Sequence, residues 1–84
     1  GTHVPLIARG PGLTPGQVRE DLVEHIDLAA TTLRLAGAPI PSWMQGQDMF
    51  DPHYSRKAIF AARDRCDETV ERLRSVRTAD FKYI

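Results

Sequence analysis

The sequence holds little that supports disulfide, metal or membrane chemistry. Its 84 residues include one cysteine, Cys66, and no asparagine. A single cysteine excludes an internal disulfide and a cysteine-rich metal site, and it leaves the cellular compartment open. No apolar run approaches the roughly 18 residues that a membrane-spanning helix needs. We therefore expect no membrane partner.

The sequence also has no excess of positive or negative charge. Eleven basic residues balance eleven acidic residues, so the formal net charge is zero. Nucleic-acid binders need a strong positive field, and we therefore expect no nucleic-acid partner. A chain of this length forms one small domain at most, near the lower limit of independent stability.

Both ends of the sequence are typical of the interior of a protein. Gly1 stands in what is predicted to be a loop before a strand, and residues 82–84 are predicted to lie inside another strand. We expect the chain to be part of a longer protein. The alternative is a complete short chain that has lost only its initiator methionine.

The N-terminal third predicts a strand, a loop and a helix start. Residues 3–8 are largely apolar with Pro5 among them, which favours an edge strand because proline cannot donate to a central ladder. Residues 9–16 hold three glycines and two prolines and predict a loop. Thr14 and Asp21 are competing helix caps. We prefer the start at Asp21, because Gly16 would weaken the earlier first turn.

The helix that follows has an apolar stripe. Six residues share one side of a 3.6-residue period: Leu22, Ile26, Ala29, Ala30, Leu33 and Gly37. Four residues lie off its centre: Glu24, Asp27, Thr31 and Arg34. The stripe predicts burial against a sheet or another helix. Gly37 fits the position just past the helix end, and Pro39 and Pro41 forbid continuation.

The C-terminal half predicts an irregular connection and then strands. Residues 42–57 form the connection, and four apolar residues are expected to hold it to a surface: Trp43, Met44, Met49 and Phe50. Residues 58–62 predict a short buried strand. Residues 66–72 predict one or two helical turns with Asp67 as the cap. Residues 74–84 alternate and predict a hairpin.

Four segments, taken in order, resemble the C-terminal part of the sulfatases, which belong to the alkaline-phosphatase-like superfamily. Residues 2–7 with the Pro11-Gly12 step resemble a strand and its Pro-Gly loop. Residues 27–37 are similar to the pattern Asp-Leu-x-Pro-Thr-Leu-x-x-x-Ala-Gly, although the spacing after Thr31 is one residue looser. Residues 46–49 resemble Gly-x-Asp/Ser-Leu, and residues 75–83 resemble Val-Arg-Thr followed by x-x-aromatic-Lys-Tyr. Ala30 replaces the helix proline, and His3 replaces the usual arginine.

The resemblance implies an α/β fold. As an isolated α+β fragment, the chain would have one main helix, an edge strand and a C-terminal antiparallel hairpin. Residues 1–57 would end the main domain, and residues 58–84 would begin the strands of a C-terminal subdomain. The implied function is a portion of a sulfuric ester hydrolase. The parent enzyme would act on sulfated sugars or aryl sulfates, with calcium and a formylglycine.

The chain lacks the groups that the resemblance assigns to catalysis. Cys66 is followed by Asp67-Glu68, and no serine begins the Cys/Ser-x-Pro-x-Arg pattern that yields formylglycine. The expected calcium ligands include asparagine, and the family's lysine would precede Gly1. We therefore predict no catalytic residue, no metal ligand and no cofactor in this chain, and we predict that the 84-residue chain alone is inactive.

Three side chains are candidate substrate contacts. His3 could line a pocket, although a histidine at a strand entry is more often a surface or packing residue. Arg63 and Arg65 could bind a sulfate or carboxylate, because arginine presents a fork of donors to such groups. The alternative for both arginines is a solvated ion-pair cluster with Asp67 and Glu68.

A second interpretation treats the chain as a standalone, non-enzymatic α+β interaction or oligomerisation module. An incomplete sheet with an open edge could self-associate. A small helical nucleic-acid binder is a third interpretation, and the zero net charge disfavours it.

Overall fold

One helix and one small sheet make up the regular structure in a computed structural model that describes residues 2–84, without the side chain of Cys66. The helix α1 spans His25–Leu35. The strands are β1 (Ile59–Cys66), β2 (Thr69–Arg77) and β3 (Lys82–Tyr83). The strands form one antiparallel sheet in the order β1-β2-β3. The chain is thus the expected α+β fragment. In the described part, α1 is too short to cross a membrane.

The N-terminal segment does not form the predicted edge strand. Residues 2–24 contain no helix or strand, and Val4 and Leu6 are more than half exposed. A strand exists only through pairing with a neighbour, and the described residues offer none to this segment. The loop prediction for residues 9–16 is confirmed, with turns at Gly12 and Gly16, both at positive φ.

The helix begins later than predicted and ends where predicted. Glu24 is its N-cap residue, three positions after Asp21. Gly37 has a φ of 72°. Its N–H donates to the carbonyl of Arg34 at 3.0 Å, and the next N–H, of Ala38, donates to the carbonyl of Leu33 at 2.9 Å. These two bonds form a Schellman motif, which uses carbonyls that the helix end would otherwise leave unpaired.

The buried side of α1 carries two polar residues, and within α1 Ala30 is the one member of the predicted apolar stripe that is fully buried. Its buried residues are Asp27, Ala30 and Thr31, whereas Ile26 is 46% exposed. Within residues 2–84, α1 does not pack on the sheet. It lies instead against the connection around Gly46, because that segment supplies polar groups that match the helix carboxylate and hydroxyl.

The hairpin of β1 and β2 is longer than predicted. The pairing runs from Ile59 opposite Arg77 to Cys66 opposite Thr69, with an irregularity between Arg63 and Arg65. The predicted helical turns at residues 66–72 are wrong, because Asp67 takes a φ of 54° and turns the chain directly into β2. The strand predicted at residues 58–62 forms but is not buried.

The hairpin predicted at residues 74–84 is confirmed. Val76 lies opposite Tyr83, and Arg77 lies opposite Lys82. The bend between these strands closes with a 2.8 Å hydrogen bond from the N–H of Thr78 to the carbonyl of Phe81.

The hydrophobic core is very small. In the described part of the chain, Ala30 and Met49 are the buried hydrophobic residues. Large apolar side chains stay exposed, among them Trp43, Phe81 and Tyr83 at about 78% each. Met49 thus holds the connection as predicted, whereas Trp43 does not. Polar contacts, more than apolar packing, therefore hold α1 to the rest of the chain.

Candidate functional site

A buried carboxylate is the centre of the structure. Asp27 stands in the first turn of α1 and is fully buried. Its Oδ1 accepts the N–H of Gln47 at 2.8 Å and a guanidinium N–H of Arg56. Its Oδ2 accepts the N–H of Glu24 at 3.0 Å and the Nε–H of Arg56 at 2.7 Å. A buried charge is tolerated only when it is paired and hydrogen-bonded in this way.

Arg56 joins two carboxylates. Its guanidinium binds Asp27 through both Nε and Nη2, which is the fork geometry that arginine offers to a carboxylate. Its Nη1 lies 3.1 Å from Oε2 of Glu24, and both of these side chains are nearly buried. The end of the connection is thereby fixed to the start of α1.

Tyr54 completes the surroundings of Asp27. Its hydroxyl lies 2.9 Å from Oδ2 of Asp27 and 2.8 Å from the carbonyl of Leu22. The hydroxyl has one proton, so it donates to one of these acceptors at a time. The guanidinium of Arg19 lies 5.8 Å from the centre of the Tyr54 ring. Arg19 also donates to the carbonyl of Met49, and the N-terminal loop is thereby held to the connection.

Two pKa shifts describe the chemistry of this cluster. Burial alone would raise the pKa of Asp27, but the hydrogen bonds from Arg56, Gln47, Glu24 and Tyr54 together lower it from 3.8 to about 2. Burial and the nearby Asp27 carboxylate raise the pKa of Tyr54 to about 12. A general acid or base needs a pKa near the working pH. Asp27 and Tyr54 therefore suit a structural role and not proton transfer near neutral pH.

A second set of polar contacts lies one turn further along α1. The Oγ1 of Thr31 accepts the N–H of Met49 at 3.0 Å and donates to the carbonyl of Gln47 at 3.5 Å. Asp27 and Thr31 are four residues apart, so they share one side of the helix. Together they hold the backbone of residues 47–49.

Gly46 allows this close approach. A Cβ at this position would stand 2.0 Å from the carbonyl oxygen of Ile26. No side chain fits there, because the obstacle is helix backbone, which does not give way as the end of a flexible side chain would. Contact with α1 thus explains why the Gly-x-Asp segment begins with a glycine.

The predicted substrate contacts lie elsewhere. His3 is exposed in the N-terminal segment. Arg63 pairs with Glu71 across the hairpin at 3.2 Å, and Arg65 donates to the carbonyl of Asp67 at 2.8 Å. Both arginines are exposed on the hairpin. The described contacts do not bring His3 together with the two arginines.

Sequence reasoning missed Asp27, Arg56 and Tyr54. The periodicity argument placed Asp27 off the centre of the helix stripe and gave Arg56 and Tyr54 no role. Asp27 and Thr31 share one side of the helix, but polar residues at helical spacing are equally typical of a solvent face, so this pattern gave no signal of their burial.

The described residues do not fit a metal. Among residues 2–84, with the side chain of Cys66 left aside, no group of three or more His, Cys, Asp and Glu side chains could hold an ion. Both oxygens of Asp27, the most buried carboxylate, already accept hydrogen bonds from protein donors. The calcium that the sulfatase resemblance implies for a parent enzyme has no ligand set in this part of the chain.

The sequence matches a known family over its whole length. The model of the family described as "N-sulphoglucosamine sulphohydrolase, C-terminal" matches residues 1–84. The chain belongs to this family. It is a C-terminal portion of a sulfatase, as the order of its four segments predicted, and the interpretation as a standalone module is not favoured.

Named relatives agree with this assignment. The ulvan-active sulfatase of Formosa agariphila is 33% identical over 87 residues, which cover 100% of this chain and 15% of that protein. The extracellular sulfatase SULF-1 homolog of Drosophila melanogaster is 38% identical over 62 residues, which cover 74% of the chain and 5% of that protein. The human N-acetylglucosamine-6-sulfatase is 53% identical over 34 residues, which cover 40% of the chain and 6% of that protein.

This sulfatase portion is short beside those relatives. The chain spans between 5% and 15% of the length of the three proteins. No solved structure matches it.

Proposed function

We propose that this chain is the non-catalytic flank of a sulfuric ester hydrolase that acts on sulfated sugars or aryl sulfates. The family match over residues 1–84 carries the proposal. The chemistry of the chain supports it, because the sequence has no Cys/Ser-x-Pro-x-Arg pattern and its buried carboxylate has a pKa too low for proton transfer. The nucleophile, the formylglycine and the calcium ligands would come from sequence outside this chain.

The two halves of the chain have different places in this proposal. Residues 1–57 end the main domain, and residues 58–84 begin the C-terminal subdomain. The separation of α1 from the sheet supports this division, since the two elements do not pack on each other in the described part. The exposed stripe of α1 and the exposed face of the hairpin would be covered by the remainder of the sulfatase.

The substrate contacts proposed here are His3, Arg63 and Arg65. Arg63 is about half exposed, and its partner Glu71 is also about half exposed. A sulfate group of the substrate could replace Glu71 at little cost, because exposed ion pairs are weak. A sulfated sugar or an aryl sulfate would then lie along the hairpin.

The test uses the intact sulfatase and an aryl sulfate. Arg63→Ala and Arg65→Ala should each raise KM for the sulfated substrate, with kcat little changed, because they remove binding without touching the reacting groups. The control is Arg72→Ala, an exposed arginine of β2 with no described partner. A KM that changes equally in all three variants would show a general charge effect and would contradict the assignment.

Activity of the separated chain tests where the chemistry lies. The pure 84-residue chain should not hydrolyse an aryl sulfate, since it lacks the activated nucleophile. Turnover by this material, with a rate proportional to its concentration, would overturn the placement of the catalytic centre.

Self-association through an open sheet edge stays a prediction. β3 is the last strand in the order β1-β2-β3, and its two residues leave a short outer edge without a neighbouring strand in residues 2–84. Sedimentation of the 84-residue chain should show a dimer or a larger species if this edge pairs. A monomer at all concentrations would contradict the prediction.

A further inference from the structure

The carboxylate of Glu24, the N-cap residue of α1, bonds the backbone near the start of the hairpin. Oε1 of Glu24 accepts the N–H of Phe60 at 2.7 Å, and its Oε2 lies 3.1 Å from Nη1 of Arg56. Phe60 lies near the start of β1, opposite Val76. Because the N–H of Phe60 donates to Glu24, it points away from β2, toward the outer edge of the sheet.

We propose that Glu24 is a positioning residue that sets where the hairpin stands relative to the helix, and thus where Arg63 and Arg65 meet the substrate. This inference rests on the proposed function, which gives those arginines their role. Glu24 is well placed for it because α1 and the sheet make no packing contact in residues 2–84. The Glu24–Phe60 hydrogen bond therefore links the start of α1 directly to a strand, in addition to the connection that Arg56 holds.

Glu24 is itself held firmly. Arg56 is fixed by two bonds to the buried Asp27, and it holds Oε2 of Glu24 in turn. Oε1 is thereby aimed at β1. Arg63 and Arg65 follow Phe60 by three and five residues on the same strand, so a shift of Phe60 moves both guanidinium groups.

The decisive variants change the two ends of the Glu24–Phe60 bond. Glu24→Ala removes the acceptor. Phe60→Pro removes the donor, and proline is tolerated because this N–H does not take part in the β1–β2 ladder. Phe60→Ala keeps the donor and controls for the lost ring. Glu20→Ala, at an exposed position, controls for the lost charge.

In the intact sulfatase, Glu24→Ala and Phe60→Pro should each raise KM for an aryl sulfate about tenfold with kcat nearly unchanged, because the misplacement of binding groups is costly. The double variant should be no worse than Glu24→Ala alone, since Phe60→Pro removes a bond that Glu24→Ala has already removed. Phe60→Ala and Glu20→Ala should keep the wild-type KM. Glu24→Ala should also speed amide exchange at Phe60 but not in the ladder between β1 and β2.

The outcomes separate this inference from the function on which it rests. A raised KM in Arg63→Ala, together with unchanged KM and Phe60 exchange in Glu24→Ala, would overturn the positioning role and leave the substrate contact intact. An unchanged KM in Arg63→Ala would remove the substrate contact, and the inference would fail with it. If Glu24→Ala does not fold, the proposal is tested by comparing the KM of Phe60→Pro with that of Phe60→Ala. Equal KM values in these two variants would contradict the proposal.

Discussion

Two aspartate–arginine pairs in this chain have the same chemistry and opposite surroundings. Asp27 and Arg56 are 0% and 12% exposed, whereas Asp64 and Arg74 are 67% and 60% exposed. The first carboxylate accepts from backbone and side-chain donors that water cannot replace. The second is surrounded by water, which screens it. The presence of an aspartate–arginine ion pair therefore says little about its contribution to stability until the burial of the pair is known.

The same contrast separates the two regions of the molecule. The helix and the connection are polar inside, with Asp27 and Thr31 buried. The hairpin keeps apolar side chains outside, with Phe60 69% and Tyr83 77% exposed. Changes in the first region should thus affect stability much more than matched changes in the second.

Removal of the buried carboxylate should have the largest effect. Asp27→Ala removes the fully buried one of the two carboxylates that Arg56 binds, which leaves Glu24, and it leaves the N–H of Gln47 without its acceptor. The expected loss of unfolding free energy is about 3–5 kcal/mol. Asp64→Ala, the matched control on the hairpin, should cost about 1 kcal/mol or less. Chemical denaturation measures both, and equal losses would contradict the contrast.

A side chain at Gly46 should have the next largest effect. Gly46→Ala puts a Cβ 2.0 Å from the carbonyl oxygen of Ile26 and forces the connection away from α1. We expect a loss of about 3 kcal/mol. Gly10→Ala is the control, since no heavy atom lies within 4 Å of the added Cβ and the φ of Gly10 is not positive. Thermal melting compares the two, and a Gly46→Ala variant as stable as the control would show that α1 and the connection are not in close contact.

Acid should weaken the helix region through Asp27. The pKa of Asp27 is about 2 in the folded chain against an ordinary 3.8, so folding favours the ionised form. Its contribution of about 2 kcal/mol is complete above pH 4 or so and is lost as the pH falls toward about 2. Asp27→Asn should lack this part of the pH dependence. Denaturation at several pH values tests it, and parallel curves for the variant and the wild type would rule out Asp27 as the source.

The smallest of these effects should come from Thr31. Thr31→Val removes the acceptor for the buried N–H of Met49, at an expected cost of about 1–2 kcal/mol. Thr32→Val is the matched control, because the exposed Thr32 hydroxyl donates to the carbonyl of Leu28 on its own helix. Hydrogen exchange at Met49 should increase in the first variant and not in the second. The same exchange rate in both would contradict the role of Thr31.

Local signals predicted several elements of the fold correctly. Gly37 and the prolines after it marked the helix end, because few residues adopt a positive φ and proline cannot continue a helix. Alternation at residues 74–84 predicted the last hairpin, since that pattern has no helical interpretation. The order of the four segments identified the family, which no single segment could have done.

The remaining features depended on partners that the sequence does not reveal. The N-terminal segment has the composition of a strand, but pairing decides whether a strand forms, and the described residues provide no neighbour. The apolar stripe of α1 predicted the burial of Ala30 but not that of Asp27, because Asp27 and Arg56 are 29 residues apart and their pairing leaves no local pattern. Residues 66–72 were predicted to be helical because the Asp67 turn resembles a helix cap in sequence.

A double-mutant cycle on the two ion pairs tests whether the buried Asp27 carboxylate holds α1 to the connection. The variants are Asp27→Ala and Arg56→Ala, singly and together, beside Asp64→Ala and Arg74→Ala, with unfolding free energy as the readout. We expect a coupling of about 2 kcal/mol or more for the buried pair and less than about 1 kcal/mol for the exposed pair. Equal couplings for the two pairs would contradict this expectation.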